Sequence, residues 1–172
     1  MTPTLISVLH GLLICIPFTL FVLVSFLSNP RLWLHSLPRD IRQMTPPKTK
    51  RELTITRLVL LPIYLLILPG LSVASVMWMK FISDAKIDWF DFSFTGIFIH
   101  LYTIWVTVHL WDLIVIDGIG LLLINPERPP IKGTEGAKGW SDPWFHIRSF
   151  ATAVIMSAIF VVPAAGLLAF FL

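Results

Sequence analysis

The chain has 172 residues, of which 56% are apolar and 13% charged, and its mean hydropathy is +0.82. Soluble domains carry about 25% charged residues, so this composition lacks the polar surface that a water-soluble domain of this size requires. The net charge of +3 is not read as a nucleic-acid signature, because the positive residues gather in two loops. An all-α, polytopic membrane protein fits instead: a single transmembrane domain over residues 1–172.

A span needs about 20 apolar residues to cross a hydrocarbon core of about 30 Å. The first apolar run, 5–27, meets this length and is stopped by Asn29-Pro30. No Lys or Arg precedes it, so it reads as a retained helix rather than a signal peptide. The loop 28–57 follows. Within it Leu34, Leu37 and Ile41 recur at helical spacing beside Trp33, which predicts a short interfacial helix. The second span, 58–79, is preceded by Thr49-Lys50-Arg51-Glu52, a capping-box pattern. Pro62 and Pro69-Gly70 are expected to kink it. The third run, 92–116 with an apolar extension to 124, is too long for one crossing, and a bend is expected at Gly118 or Gly120. The loop 125–148 is rich in glycine and proline, and its Gly133-Thr134-Glu135-Gly136 reads as a tight turn or a weak phosphate cradle. Asp142-Pro143 has the pattern of a helix start, and the fourth span covers 150–171. Pro163 and Gly166 are expected to bend its far end. The single cysteine, Cys15, excludes an internal disulfide and reads as a packing or lipid-facing residue.

Lys and Arg fix the orientation. Seven lie in Asn29–Arg57, four in Asn125–Arg148 and two in the hairpin Lys80–Asp91. The positive-inside rule therefore puts both long loops in the cytoplasm and both termini outside, in a plasma (inner) membrane. Trp33, Trp78, Trp89, Trp140 and Trp144 all fall where indoles are expected at an interface. Gly96, Ala151, Ala153, Ser157 and Ala158 are candidates for close helix packing.

Ionisable residues in or beside a span are costly and mark sites. On the third helix Tyr102, Trp105, His109, Asp112 and Ile116 share one face, with His109 and Asp112 one turn apart and able to pair. Asp117 lies about 140° round the helix from Asp112. At the same depth the fourth helix begins with His146 and Arg148, just after Glu135. Its free N–H groups favour an anion. The candidate ligand site is therefore His109, Asp112, Asp117, Glu135, His146 and Arg148, with a lipid headgroup, a metal ion or a small anion as occupant, or a proton relay through His109 and Asp112. Satisfied buried pairs that only orient helices are the other reading. At the opposite end, His10 and His100 are candidates for axial haem ligands, or simply for packed histidines.

The stretches Arg31-Leu32-Trp33-Leu34-His35, Pro38-Arg39-Asp40-Ile41, Pro46-Pro47-Lys48-Thr49-Lys50, Asp112…Asp117, Gly133-Thr134-Glu135-Gly136 and Phe145-His146-Ile147-Arg148 resemble an uncharacterised family of small bacterial membrane proteins. The resemblance covers mainly the two loops and the adjoining helix ends. It implies four spans and supplies no activity, cofactor or catalytic residue.

The expected function is thus a small membrane protein with a polar cytoplasmic side that binds a ligand or anionic lipid headgroups. The alternatives are an accessory or assembly subunit that docks a protein partner, and a small transporter or haem-binding protein working as a homo-oligomer. No nucleophile elbow, HExxH or histidine-box motif is present.

Overall fold

A computed structural model describes residues 2–62, 65–66, 68–84 and 90–172. Among these residues every regular element is helical. In chain order they are α1 (Pro3–Ser28), a 3₁₀ turn (Pro30–Ser36), α2 (Arg39–Met44), α3 (Lys50–Ile55), a π turn (Thr56–Leu60), α4 (Leu68–Asp84), α5 (Phe94–Trp111), a second π turn (Asp112–Asp117), α6 (Gly118–Leu123), a second 3₁₀ turn (Lys138–Ser141) and α7 (Pro143–Phe171).

The helix ends follow local chemistry. The Thr2 hydroxyl accepts from the Leu5 N–H to start α1, and Asn29 ends it in extended backbone before Pro30. Thr49 and Glu52 make both halves of a capping box on α3. Asp142 accepts from the Trp144 and Phe145 N–H groups, with Pro143 in the first turn of α7. Each cap satisfies donors that a helix start leaves orphaned. Pro17 and Pro163 are both accommodated inside unbroken helices.

Three helices are long and apolar enough to cross a membrane: Pro3–Ser28, Phe94–Leu123 and Pro143–Phe171. Leu68–Ser83 is apolar but shorter. The kink expected at Pro62 adjoins positions 63, 64 and 67, which lie outside the described residues, as do Lys86, Asp88 and Trp89 of the hairpin.

Helix α5 is the centre. Its residues Ile97, His100, Leu101, Ile104, Trp105, Val108 and His109 are buried, and it packs against α1, α4 and α7. Outward faces of α1 and α7 present Leu13, Leu20, Ile155, Ile159 and Phe170 uncovered, an exterior that water would penalise and lipid does not. Where α1 crosses α5, Gly11 permits the approach: a Cβ there would lie 2.8 Å from Thr107 Cβ. The small residues read from the sequence do not include this glycine. Cys15 is fully buried in the helix core rather than lipid-facing.

The two long loops pack on each other and so lie at the same end of the bundle. Ile41, Ile131, Ala137 and Trp140 form a second, separate core, with Leu34, Leu37 and Ile124 against it. The apolar residues expected to face lipid headgroups from an interfacial helix thus cover the other loop instead, and the segment is a 3₁₀ turn followed by α2. Trp140, expected at a membrane interface, is buried here, its Nε1–H donating to Thr134 Oγ1 at 3.0 Å. Trp78 and Trp144 are exposed.

Candidate functional site

The third run remains one helix from Phe94 to Leu123, but its hydrogen-bond register widens over Asp112–Asp117. There the Gly118 N–H reaches back to the Leu113 carbonyl, five residues away, in a π turn. The irregularity precedes the expected bend at Gly118. In an α-helix Asp112 and Asp117 lie about 140° apart. A π turn narrows that angle, and such turns recur at functional sites. Asp112 and Asp117 open and close this one.

His146, in the first turn of α7, closes the group. Its Nδ1 is 2.8 Å from Asp117 Oδ2, and both side chains keep a minor part of their surface exposed. The π turn that follows α5 is therefore joined to α7 at the loop end by the Asp117–His146 pair.

The other candidates lie elsewhere. His109 does not bond Asp112. Its Nε2 is 3.0 Å from Ser157 Oγ on α7, and Ser157 in turn donates to the Ala153 carbonyl. Arg148 is two residues beyond His146, so it projects from nearly the opposite face of α7. Its side chain is 74% exposed, its Nε–H donates to the Trp144 carbonyl, and its Nη2 is 3.8 Å from Asp142 Oδ2. Glu135 is exposed and accepts from the Gly133 N–H at 3.1 Å. Local backbone N–H groups hold its carboxyl below the usual range. Gly133 and Gly136 both have positive φ, 85° and 74°, so the Gly133–Gly136 stretch is a double turn. The N-terminus of α7, expected to attract an external anion, is filled by the Asp142 carboxylate.

At the far end His10 and His100 meet edge to face with ring centroids 5.5 Å apart. Ser7 Oγ lies 2.7 Å from His100 Nδ1, and Ser75 Oγ lies 2.9 Å from its Nε2. Haem between two histidines requires a ring nitrogen of each on the iron and a macrocycle between them. Direct ring contact and the engagement of both His100 nitrogens do not fit that group. Among the described residues no set of three or more His, Cys, Asp or Glu converges as a metal site.

One polar centre was not foreseen from the sequence. Glu52, buried at the loop end, accepts from Arg31 Nε at 2.8 Å and Nη2 at 3.3 Å, from Asn29 Nδ2 at 3.2 Å, and from the Thr49 N–H at 2.7 Å. The Arg31 guanidinium first, and the Thr49 N–H next, pull its carboxyl down to about 2. Arg31 also donates to the Pro46 and Pro47 carbonyls. The capping-box motif pointed to Glu52, but nothing in the pattern showed that Arg31, 21 residues away, would join it.

Comparison of the chain with protein-family models, curated proteins and solved structures finds no match.

Proposed function

We propose that the chain is a four-span protein of the plasma membrane, with 58–79 as the fourth crossing, whose cytoplasmic boundary carries a proton-binding acid–histidine site. The observation that carries this reading is the pair between His146 Nδ1 and Asp117 Oδ2 at 2.8 Å, with Asp112 in the same π turn. Asp117 faces one imidazole, and Asp112 stands in the same π turn, so two carboxylates at a membrane boundary have one nearby group that supplies at most one positive charge. Ionised side chains at such a boundary are costly. A shared proton removes the deficit. The same deficit disfavours the anionic occupant considered from the sequence, since Arg148 is turned away and α7 is capped by its own aspartate. Because the site bridges α5 and α7, a proton gained or lost changes the polar contact between two membrane-crossing helices.

Potentiometric titration of the purified protein in detergent tests the site. Between about pH 5 and about pH 9, outside the range in which isolated aspartates titrate, the wild type is expected to exchange at least one proton more than the Asp112→Asn, Asp117→Asn double variant. Equal proton counts contradict the proposal.

The four-span topology rests on the length and apolarity of 58–79 and on the loop charges. In a Cys15→Ser background, cysteines at Ser36 and Gly136 are expected to react with an impermeant maleimide only in inside-out vesicles. Cysteines at Thr2 and Leu172 are expected to react only in right-side-out vesicles. Labelling of Thr2 and Ser36 from one side would remove that topology.

A second reading has its own observation. Asp40 and Glu52 are turned inward, onto the Gly139 N–H and Arg31, while Arg39, Arg42, Lys50 and Arg51 of the same loop are exposed. This leaves a basic outer face on the docked loops, suited to anionic headgroups or an acidic protein partner.

A further inference from the structure

His146 and Arg148 divide α7 into two functional faces. The inner face holds the acid–histidine site. On the other, Phe145, Arg148, Ser149, Thr152 and Ala153 line a shallow, open surface. These positions follow the i, i+3, i+4, i+7, i+8 stripe of one helix face. From the structure we infer that this face is a binding site for the phosphate of an anionic phospholipid.

Three features converge on that occupant. First, the cation is presented outward: the Arg148 side chain is 74% exposed, its Nε–H is bonded within the helix, and its Nη2 makes only a long, 3.8 Å ion pair with Asp142. A guanidinium on a lipid-facing helix is a fork that matches phosphate oxygens. Secondly, Ser149, the next residue, and Thr152, one turn deeper, share this face and are exposed, with the Thr152 hydroxyl donating to the Arg148 carbonyl and its oxygen left to accept. Thirdly, the stripe becomes apolar in the direction of the bilayer: Met156, one turn beyond Thr152, is 54% exposed and Ile159 is 67% exposed. A headgroup phosphate at Arg148 would therefore have its acyl chain running along Met156 and Ile159. The exposed Trp144 indole stands one turn on the water side, at headgroup depth. This placement rests on α7 being a membrane span with its N-terminus in the cytoplasm, but not on the proton site, whose residues lie on the other face.

The test is native mass spectrometry of the full-length protein released from nanodiscs of phosphatidylcholine doped with phosphatidylglycerol. The wild type is expected to retain phosphatidylglycerol. Arg148→Ala and Arg148→Gln are expected to lower its occupancy by roughly tenfold, the loss that goes with one charge-assisted phosphate contact. Arg128→Ala, which removes the same charge from an exposed loop position, is expected to leave it unchanged. Equal retention in the Arg148 variants overturns the inference. So does an equal loss in Arg128→Ala, which would show only diffuse attraction to a basic surface, and so does displacement of the lipid by inorganic phosphate at matching concentration. Failure of this test leaves the titration of Asp112 and Asp117 untouched, and failure of that titration leaves this test standing.

Discussion

Glu52→Gln is expected to lower the stability of the protein by about 2–4 kcal/mol, somewhat below the about 3–5 kcal/mol for breaking a fully buried ion pair from one side, because the Arg31 side chain is 24% exposed. The glutamine keeps the shape but loses the charge that gathers Arg31, Asn29 and the Thr49 N–H. Arg31 is then left half-served, with only the Pro46 and Pro47 carbonyls. Those contacts clamp the end of α1 to the start of α3, so the first loop should loosen as a unit. Arg51→Gln, on the exposed side of the same helix, should change stability by no more than about 0.5 kcal/mol. Chemical denaturation in detergent measures both. The ion pair also fixes a pH window. The Glu52 carboxyl is depressed from 4.5 to about 2, so its contribution is fully present above about 4.5. It is lost as the pH falls through the window down to about 2. The Gln variant should lack that acid slope, and an unchanged slope would mean the loop pair does not set it.

Gly139→Ala should separate the two loops. A Cβ at this position would lie 2.5 Å from Pro38 Cβ and 2.5 Å from Asp40 Oδ1. The proline ring cannot rotate away, and Asp40 is held there because its Oδ2 accepts the Gly139 N–H at 2.8 Å. Overpacking of this kind costs about 1–3 kcal/mol, and the hydrogen bond is lost with it. Ile41, Ile131 and Trp140 would then be exposed together, so the signature is a red-shifted tryptophan emission and faster proteolysis between 125 and 142. Gly70→Ala is the matched control. Nothing lies within 4 Å of a Cβ at Gly70 in α4, and alanine favours helix there by about 1 kcal/mol.

The parts of this molecule governed by local rules were legible in the sequence. Asn29-Pro30, Thr49…Glu52 and Asp142-Pro143 each terminate or start a helix where the pattern puts them. Three of the apolar runs are helices long enough to cross a bilayer. The candidate site was legible only in part, because its geometry depends on two non-local events. The π turn at Asp112–Asp117 shifts the register that an ideal helix assigns, and no residue in that stretch announces it. Asp117, at the end of that turn, has His146 as its partner. His109 found a hydroxyl on α7 before it found the carboxylate one turn away. Arg148 was grouped with His146 by closeness in sequence, although two helical steps place them on opposing faces. The loop core was hidden for a related reason: Leu34, Leu37 and Ile41 have the spacing of an interfacial helix, and only the partner surface of Ile131, Ala137 and Trp140 decides what they cover.

The most direct test of the acid–histidine site is the infrared carboxyl-stretch difference spectrum, recorded through a pH titration of the wild type and of Asp112→Asn. If Asp112, Asp117 and His146 share a proton, the substitution removes one carboxyl signal and also changes how the remaining Asp117 signal titrates. An Asp117 titration that superimposes on the wild type would show independent groups and contradict the proposal.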